Sequence, residues 1–236
     1  MNSMKMTWLV AQKEIKTVLR NKGLLLAGFY VGGMFGVMNM WLSGQAFGIE
    51  NAVFSVAQLT AVFVGYSLSR FVFLREKQEK VIETLLCSPL SLKSIWLGKV
   101  IGATIPAYLF SLLAVCIVTI ISSVTMQSLS LPSAVILIHI LGVVPVFTTA
   151  TVGLIGFTQF VLGMRENKII GYLIVLVLIP FMYPSIFSLL LGGVNVVISW
   201  FEVGICATFA VLLLALTTYL SRYLSKEKIV TTIPLD

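Results

Sequence analysis

Long apolar stretches without a charged residue alternate along the chain with short polar segments. Five of these stretches contain no Asp, Glu, Lys or Arg: residues 23–49, 51–69, 100–164, 169–201 and 203–221. A helix that crosses a bilayer needs about 20 mainly apolar residues. The third stretch is long enough for two crossings, and its polar interior at 122–132 predicts the turn between them. We therefore predict an all-α, polytopic membrane protein whose domain 23–221 holds six transmembrane helices.

The segment 1–22 precedes the first apolar stretch and has the pattern of an amphipathic helix. Its apolar and polar side chains recur at helical spacing on two faces, with Trp8, Ala11, Ile15, Val18 and Leu19 on one and Lys5, Gln12, Lys13, Lys16 and Arg20 on the other. Such a helix lies in the membrane interface, with its aromatic residue at the level of the headgroups. At the other end of the chain, we expect residues 222–236 to form a cytosolic tail.

Composition and charge agree with a chain that lies in a lipid bilayer. Apolar residues make up 58% and charged residues 11% of the sequence, whereas soluble proteins contain about 25% charged residues. All sixteen Lys and Arg residues fall in the amino-terminal segment, the carboxy-terminal tail or alternate loops. Because basic residues mark the cytoplasmic side, we expect both termini in the cytoplasm and the chain in the cell membrane. The net charge of +7 then reflects topology, and we expect no nucleic-acid partner.

Few residues inside the predicted spans offer chemistry. His139 is the only histidine and lies in the fourth span, as a candidate pathway residue or a hydrogen-bonded packing residue. The cysteines Cys87, Cys116 and Cys206 are widely spaced and indicate neither a disulfide nor a metal site. The sequence also contains no catalytic constellation and no Walker motif. We therefore expect the chain to bind no cofactor and to be no enzyme by itself.

The longest predicted cytosolic connection is the loop 75–99, between the second and third spans. Its pattern predicts a short helix over 76–87 that stops before Pro89, followed by a helix capped at Ser91. Acidic residues share one face of the short helix and aliphatic residues another: Glu76, Glu79 and Glu83 against Val81, Ile82, Leu85 and Leu86. A solvated connector gains nothing from such an aliphatic face, so the pattern favours a docking surface.

The residues of this loop resemble those of type-2 ABC transporter permeases. The similarity covers a glutamate-rich stretch, a Thr-Leu-Leu core, a Ser-Pro-Leu-Ser segment and a Gly-Lys pair, here Glu79, Glu83, Thr84, Leu85, Leu86, Ser88, Pro89, Leu90, Ser91, Gly98 and Lys99. The resemblance implies that the loop helix is a coupling helix, which docks on a separate ATP-binding cassette ATPase subunit. The implied ATPase-coupling residues are Glu76, Glu79, Glu83, Thr84, Leu85, Leu86, Ser88 and Pro89.

The same resemblance implies an elbow role for the segment 1–22, and a homodimer or a pairing with a similar permease. ATP and Mg²⁺ would be bound by the partner subunit. We therefore expect the permease subunit of an ATP-driven exporter for a hydrophobic or amphipathic substrate. Two alternatives stay open: a secondary carrier or channel, and a membrane subunit of the cytochrome-maturation type. An ion-coupled carrier would need paired charges within the spans, and the apolar stretches contain none.

Overall fold

In a computed structural model, the chain is described over residues 3–46, 49–79, 90–126, 132–162, 164–182, 198–226 and 229. The elements formed by these residues are all helical: α1 (Ser3–Arg20), α2 (Lys22–Ala46), α3 (Ile49–Gln78), α4 (Leu92–Met126), α5 (Ala134–Val161), α6 (Met164–Met182) and α7 (Trp200–Leu220), which a 3₁₀ turn at Ser221–Tyr223 extends. The predicted all-α class is confirmed.

Four helices are long and apolar enough to cross a membrane, namely α3, α4, α5 and α7. The predicted first and fifth spans fall on α2 and α6. Among the described residues, the apolar helical stretches there, Lys22–Met38 and Ile169–Ile179, are shorter. The described part of the chain thus fits a membrane protein with four candidate spans, and the predicted count of six is not confirmed.

The helix α3 lies at the centre of the bundle. It packs against α2, α4 and α5, and α7 packs against the far side of α5. Most of the apolar part of α3 is buried inside the protein, whereas most of α7 is exposed. At Gly65 the backbones of α3 and α5 come close, because a Cβ there would lie 2.9 Å from Val152 Cγ2.

Two of the long helices contain a π-helical turn, at Arg70–Leu74 in α3 and at His139–Val143 in α5. A π turn adds one residue to a turn of an α-helix and changes which carbonyl each amide reaches. The residues that flank each turn keep right-handed helical backbone angles, so both helices continue past their turns. As a result, α3 runs on to Gln78, beyond the predicted end of the second span at residue 69.

The π turn of α5 has a cause in the sequence. The amide of Val144 donates to the His139 carbonyl, five residues back. The next residue, Pro145, has no N–H, so the Ile140 carbonyl has no amide partner from the turn that follows it. The hydroxyl of Tyr108 on α4 donates to this carbonyl at 3.2 Å. A side chain of α4 thus completes the turn in α5.

The helix α1 lies against the first part of α4 in close backbone contact. A Cβ on Gly98 would come 2.6 Å from Val10 Cβ, and a Cβ on Gly102 would come 2.6 Å from Glu14 Cβ. Side chains larger than glycine at these two positions would push the helices apart. The two glycines therefore fix how closely α1 approaches α4.

The surroundings of α1 differ from those that its amphipathic pattern predicts. The buried stripe consists of Ala11, Glu14 and Val18, whereas Trp8 and Leu19 are each half exposed. The predicted apolar face is therefore divided, and only part of it faces the protein. The physical reason is the pair of glycines on α4. They let α1 pack closely along the side that carries Val10, Ala11 and Glu14, so the rest of the predicted apolar face is turned away from α4.

Candidate functional site

Six of the eight predicted ATPase-coupling residues lie outside the described residues: Glu83, Thr84, Leu85, Leu86, Ser88 and Pro89. Glu76 and Glu79 are described, at the end of α3. The structure therefore describes the base of the predicted coupling loop, where α3 ends at Gln78 and α4 begins at Leu92. We call these two helix ends the loop base.

The predicted separate helix over 76–87 is not separate at its start. The turn Arg75–Gln78 continues directly from the π turn of α3, and Glu79 leaves the helix with φ −81° and ψ 3°. The π turn allows α3 to continue through the charged residues at which the apolar pattern ends. Residues 80–87 of the predicted helix lie outside the described residues.

Four charged side chains from three helices meet at the loop base. The ammonium group of Lys99 on α4 lies 2.7 Å from Glu76 Oε2 and 3.1 Å from Glu14 Oε1. Lys13 on α1 lies 3.2 Å from Glu76 Oε1 and 3.6 Å from Glu14 Oε1. We call these four residues the base cluster. Its two lysines and two glutamates balance in charge, which a group withdrawn from water requires.

The base cluster is buried on its inner side and open to solvent at Lys13. The side chain of Lys99 is fully buried, that of Glu76 is 14% exposed, and that of Lys13 is 56% exposed. Burial acts to lower the pKa of Lys13, but the carboxylates of Glu76 and Glu14 outweigh it and raise this pKa above 10.5. Lys13 therefore stays charged at neutral pH and closes the cluster toward the surface.

Two buried lysines of the loop base also bind backbone carbonyl groups. Lys99 donates to Val72 O, in the π turn of α3, at 2.8 Å. Lys77 of α3 donates to Leu162 O at 2.7 Å and to Phe160 O at 3.3 Å, at the end of α5. The last carbonyl groups of a helix lack intrahelical partners and carry partial negative charge. Lys77 therefore caps α5 and attaches it to the loop base.

Glu76 and Glu79 have different surroundings, although the helical pattern predicts that they share a face. Glu76 points into the base cluster, where it binds two lysines. Glu79 is half exposed and pairs with Arg75, four residues earlier, at 2.7 Å. Within the described residues, Glu76 thus holds helices together, whereas Glu79 lies at the surface.

Of the residues that meet here, the sequence predicts a functional role for Glu76; it predicts no such role for Lys13 and Lys99 and does not single out Glu14 or Lys77 at all. A signal for Glu14 exists, because it lies three residues after Ala11 and four before Val18, on the buried stripe of α1. A lone acidic residue on such a stripe predicts a basic partner from another helix. For Lys77 the local pattern holds no comparable signal, since basic residues are expected at every cytoplasmic helix end.

His139, the candidate pathway residue, lies far from the loop base. It is fully buried, and its ring stacks on Phe54 with 3.7 Å between the ring centroids and 14° between the planes. From His139 to its end at Val161, α5 rises by roughly 33 Å at about 1.5 Å per residue. The structure therefore does not bring His139 together with Glu76 and Glu79, the two predicted coupling residues that it describes.

An apolar cleft lies close to the π turn of α5, and its lining does not include His139. The cleft, of about 490 Å³, lies between α4 and α5. Its hydroxyl residues Thr119 and Ser123 donate to carbonyl groups of their own helix, so its walls are apolar in effect. Within the described part of the chain, no three His, Cys, Asp or Glu side chains are grouped to hold a metal ion. Neither Cys116 nor Cys206 forms a disulfide within the described residues.

Comparison with known protein families finds none that matches this chain, and comparison with curated proteins finds no match either. The resemblance to type-2 ABC transporter permeases therefore rests on the residues of the loop.

Proposed function

We propose that the chain is the permease subunit of an ATP-driven exporter in the cell membrane, with six spans and both termini in the cytoplasm. In this proposal a separate ABC ATPase binds the loop 75–99 and supplies ATP and Mg²⁺. Two permease chains, identical or similar, form the pathway. The loop resemblance supports the proposal, as does the distribution of all sixteen basic residues. The observation that carries it furthest is the attachment of the loop base.

The loop base is joined to the helices around it by buried polar contacts. Lys99 joins α4 to Glu14 of α1 and to Glu76 of α3, and Lys77 joins α3 to the end of α5. Removal of one partner from a buried ion pair commonly costs about 3–5 kcal/mol, so these contacts resist separation. A displacement of the loop would therefore pass to α1, α3, α4 and α5 together. Such an attachment suits a loop that receives force from a partner.

The exposed side chains of α2 and α6 agree with an apolar environment and with an apolar substrate. Both helices expose large hydrophobic side chains, among them Leu26, Phe29, Tyr30 and Val37 on α2 and Ile169, Tyr172, Leu176 and Val177 on α6. Extended apolar surfaces of this kind mark contact with lipid or with another protein. In the proposal they face the hydrocarbon, the second permease chain and a hydrophobic or amphipathic substrate.

The test of the proposal removes the aliphatic face of the loop. The double variant Leu85→Ala with Leu86→Ala truncates two side chains that would be buried in the ATPase, where each truncation costs on the order of 1–3 kcal/mol. We expect less ATPase to co-purify from native membranes, and ATP hydrolysis in reconstituted vesicles to lose its link to transport. The matched control is Leu109→Ala on α4, outside the loop 75–99, whose side chain is 50% exposed.

Wild-type association and transport in the double variant would show that the loop is a solvated connector, and would contradict the proposal. ATP hydrolysis by the purified chain alone is a second check. We expect it at background, because the sequence contains no phosphate-binding loop. Robust turnover by the isolated chain would also rule the proposal out.

A further inference from the structure

The interface between α3 and α5 buries polar side chains within the apolar part of the bundle. Residues 51–69 and 134–161 contain no Asp, Glu, Lys or Arg. Gln58 of α3 is 1% exposed and His139 of α5 is fully buried. Neither amide atom of Gln58 and neither ring nitrogen of His139 has a hydrogen-bond partner among the described residues. Four polar atoms are thus withdrawn from solvent without a protein group to bind them in the part of the chain described.

Contacts on both sides of Gln58 place it at this interface. Phe54, four residues before Gln58, stacks on the ring of His139. Gly65, seven residues after Gln58, lies against Val152, which a Cβ would approach to 2.9 Å. Residues spaced by four and by seven share one face of an α-helix. Gln58 therefore faces α5, between these two contacts.

The hydroxyl groups on this part of α5 are already engaged. Thr148 and Thr151 each donate to a carbonyl of their own helix at 2.7 Å. Ser111 of α4, by comparison, reaches across to α3 and donates to Ala57 O at 2.7 Å. Ser111 is therefore a fully buried polar side chain with a partner on another helix, whereas Gln58 and His139 have none among the described residues.

Buried polar groups without partners are rare in native proteins, because the loss of hydration is not compensated. The cost persists in a membrane, whose hydrocarbon supplies no hydrogen bonds. The π turn His139–Val143 lies at the same level of α5, and π turns occur frequently at functional sites. These observations indicate a site that is closed in this structure and acquires its hydrogen bonds in another state.

We propose that Gln58 and His139 form a hydrogen-bonding site for an uncharged amide or hydroxyl group of the transported molecule, and that α3 and α5 separate there during transport. This inference rests on the proposed function. A glutamine amide both donates and accepts hydrogen bonds, and so does an imidazole that carries one proton. The segments 51–69 and 134–161 contain no carboxylate or ammonium group, so a charged ligand group would find no counter-charge. An uncharged group that donates and accepts fits both residues.

The first test measures the opening of the interface by thiol accessibility. Gln58→Cys and Ser111→Cys are placed singly in a chain whose native cysteines are replaced, in native membranes. The probe is 2-aminoethyl methanethiosulfonate, applied with and without ATP and Mg²⁺. We expect Gln58→Cys to react faster during turnover than without ATP, and Ser111→Cys to stay unreactive in both conditions. Ser111 is the matched control because its side chain is also fully buried. Equal rates at the two positions in both conditions would overturn the inference.

The second test uses stability, and it needs no transport assay. Gln58→Leu and His139→Phe replace polar groups by apolar ones of similar size, and we expect an unchanged or higher melting temperature in detergent. Ser111→Ala should melt at a lower temperature, because it removes the donor to Ala57 O. A drop for Gln58→Leu as large as that for Ser111→Ala would show that Gln58 has a structural partner, and would overturn the inference.

The third test determines the ligand class through Ser55→Cys, which keeps Gln58 intact. Ser55 precedes Gln58 by three residues and is 1% exposed. Decanamide, decanol and decyltrimethylammonium share one alkyl chain and differ in the head group. We expect a neutral probe to slow labelling of Ser55→Cys during turnover. Protection by decanamide indicates an amide-bearing ligand, and protection by decanol a hydroxyl-bearing one. Protection by the ammonium compound alone would overturn the assigned class.

Failure of this inference differs from failure of the proposed function. If the ATPase co-purifies with the chain but Gln58→Cys stays as unreactive as Ser111→Cys, the site is wrong and the permease function stands. If no ATPase co-purifies and Gln58→Cys reacts equally with and without ATP, the proposed function fails and the ATP-driven opening of this interface fails with it.

Discussion

The variant Lys99→Met tests whether the base cluster holds the helix ends of the loop base together. Methionine keeps the length and apolar volume of the side chain but removes the ammonium group, which leaves Glu76 and Glu14 with Lys13 alone in the cluster. Lys99 is fully buried, so solvent does not screen its charge. Breaking a buried pair in this way costs about 3–5 kcal/mol. Lys13 is 56% exposed and compensates in part, so we expect about 3 kcal/mol.

Thermal melting of the detergent-solubilised chain measures this loss. For a chain of this size, 1 kcal/mol corresponds to about 2–4 °C, so we expect the melting temperature of Lys99→Met to fall by about 6–12 °C. The matched control is Lys93→Met, an exposed position on the same helix. An exposed substitution changes stability by at most about 0.5 kcal/mol, which is about 1–2 °C.

A triple variant separates the charge of the cluster from its packing. Lys99→Met combined with Glu76→Met and Glu14→Met removes the buried carboxylates along with their partner. Replacement of a whole buried ionic group by hydrophobic side chains of similar volume is often close to neutral. The triple variant should therefore recover most of the lost stability. The reasoning is refuted if Lys99→Met melts at the wild-type temperature, or if the triple variant melts lower than the single one.

Two further variants test the contacts of α4. Gly98→Ala should lower the melting temperature by overpacking, about 1–3 kcal/mol, because its Cβ would meet Val10 Cβ at 2.6 Å. Gly204→Ala, whose Cβ meets nothing within 4 Å, should not, and equal behaviour of the two would contradict the close contact of α1 and α4. Tyr108→Phe should cost about 0.5–1.5 kcal/mol through the lost hydrogen bond to the π turn of α5. It should also reduce the ATP-dependent labelling of Gln58→Cys, and unchanged labelling would show that this contact transmits no motion.

The apolar pattern predicts the end of a helix correctly where the apolar residues and the helical hydrogen bonds stop at the same residue. They do not end together at the second span. Its apolar stretch ends at residue 69, because Arg70 follows, but the helix continues through a π turn to Gln78. Backbone hydrogen bonds do not require apolar side chains, so the end of hydrophobicity marks where a helix leaves the hydrocarbon and not where it stops. The helix predicted over 76–87 therefore does not begin as a separate helix, because residues 76–78 belong to α3.

The local sequence pattern does not predict the base cluster, for a different reason. Lys99 pairs with Glu14, which lies 85 residues away along the chain. The rule that places basic residues on the cytoplasmic side concerns topology, and it does not distinguish a solvated lysine from one buried under another helix. Only the packing of α1 on the glycines of α4 brings the carboxylate of Glu14 to Lys99. Such a contact depends on tertiary structure. The position of Glu14 on the buried stripe of α1 indicates that it needs a basic partner, but not which one.

The helix α4 connects the two sites described in this protein. Lys99 at the loop base donates to Val72 O in the π turn of α3, and Tyr108 donates to Ile140 O in the π turn of α5. The two donors belong to one continuous helix and stand nine positions apart, which corresponds to roughly 13.5 Å of rise. Pro106 lies between the two donors and removes one backbone hydrogen bond, but the helix continues through it to Met126, so both donors stay on one helix. A movement of α4 at the loop base would therefore act on both π turns, and the second of these begins at His139. Under the proposed function, force that a partner applies to the loop would in this way reach the interface between α3 and α5 without passing through lipid.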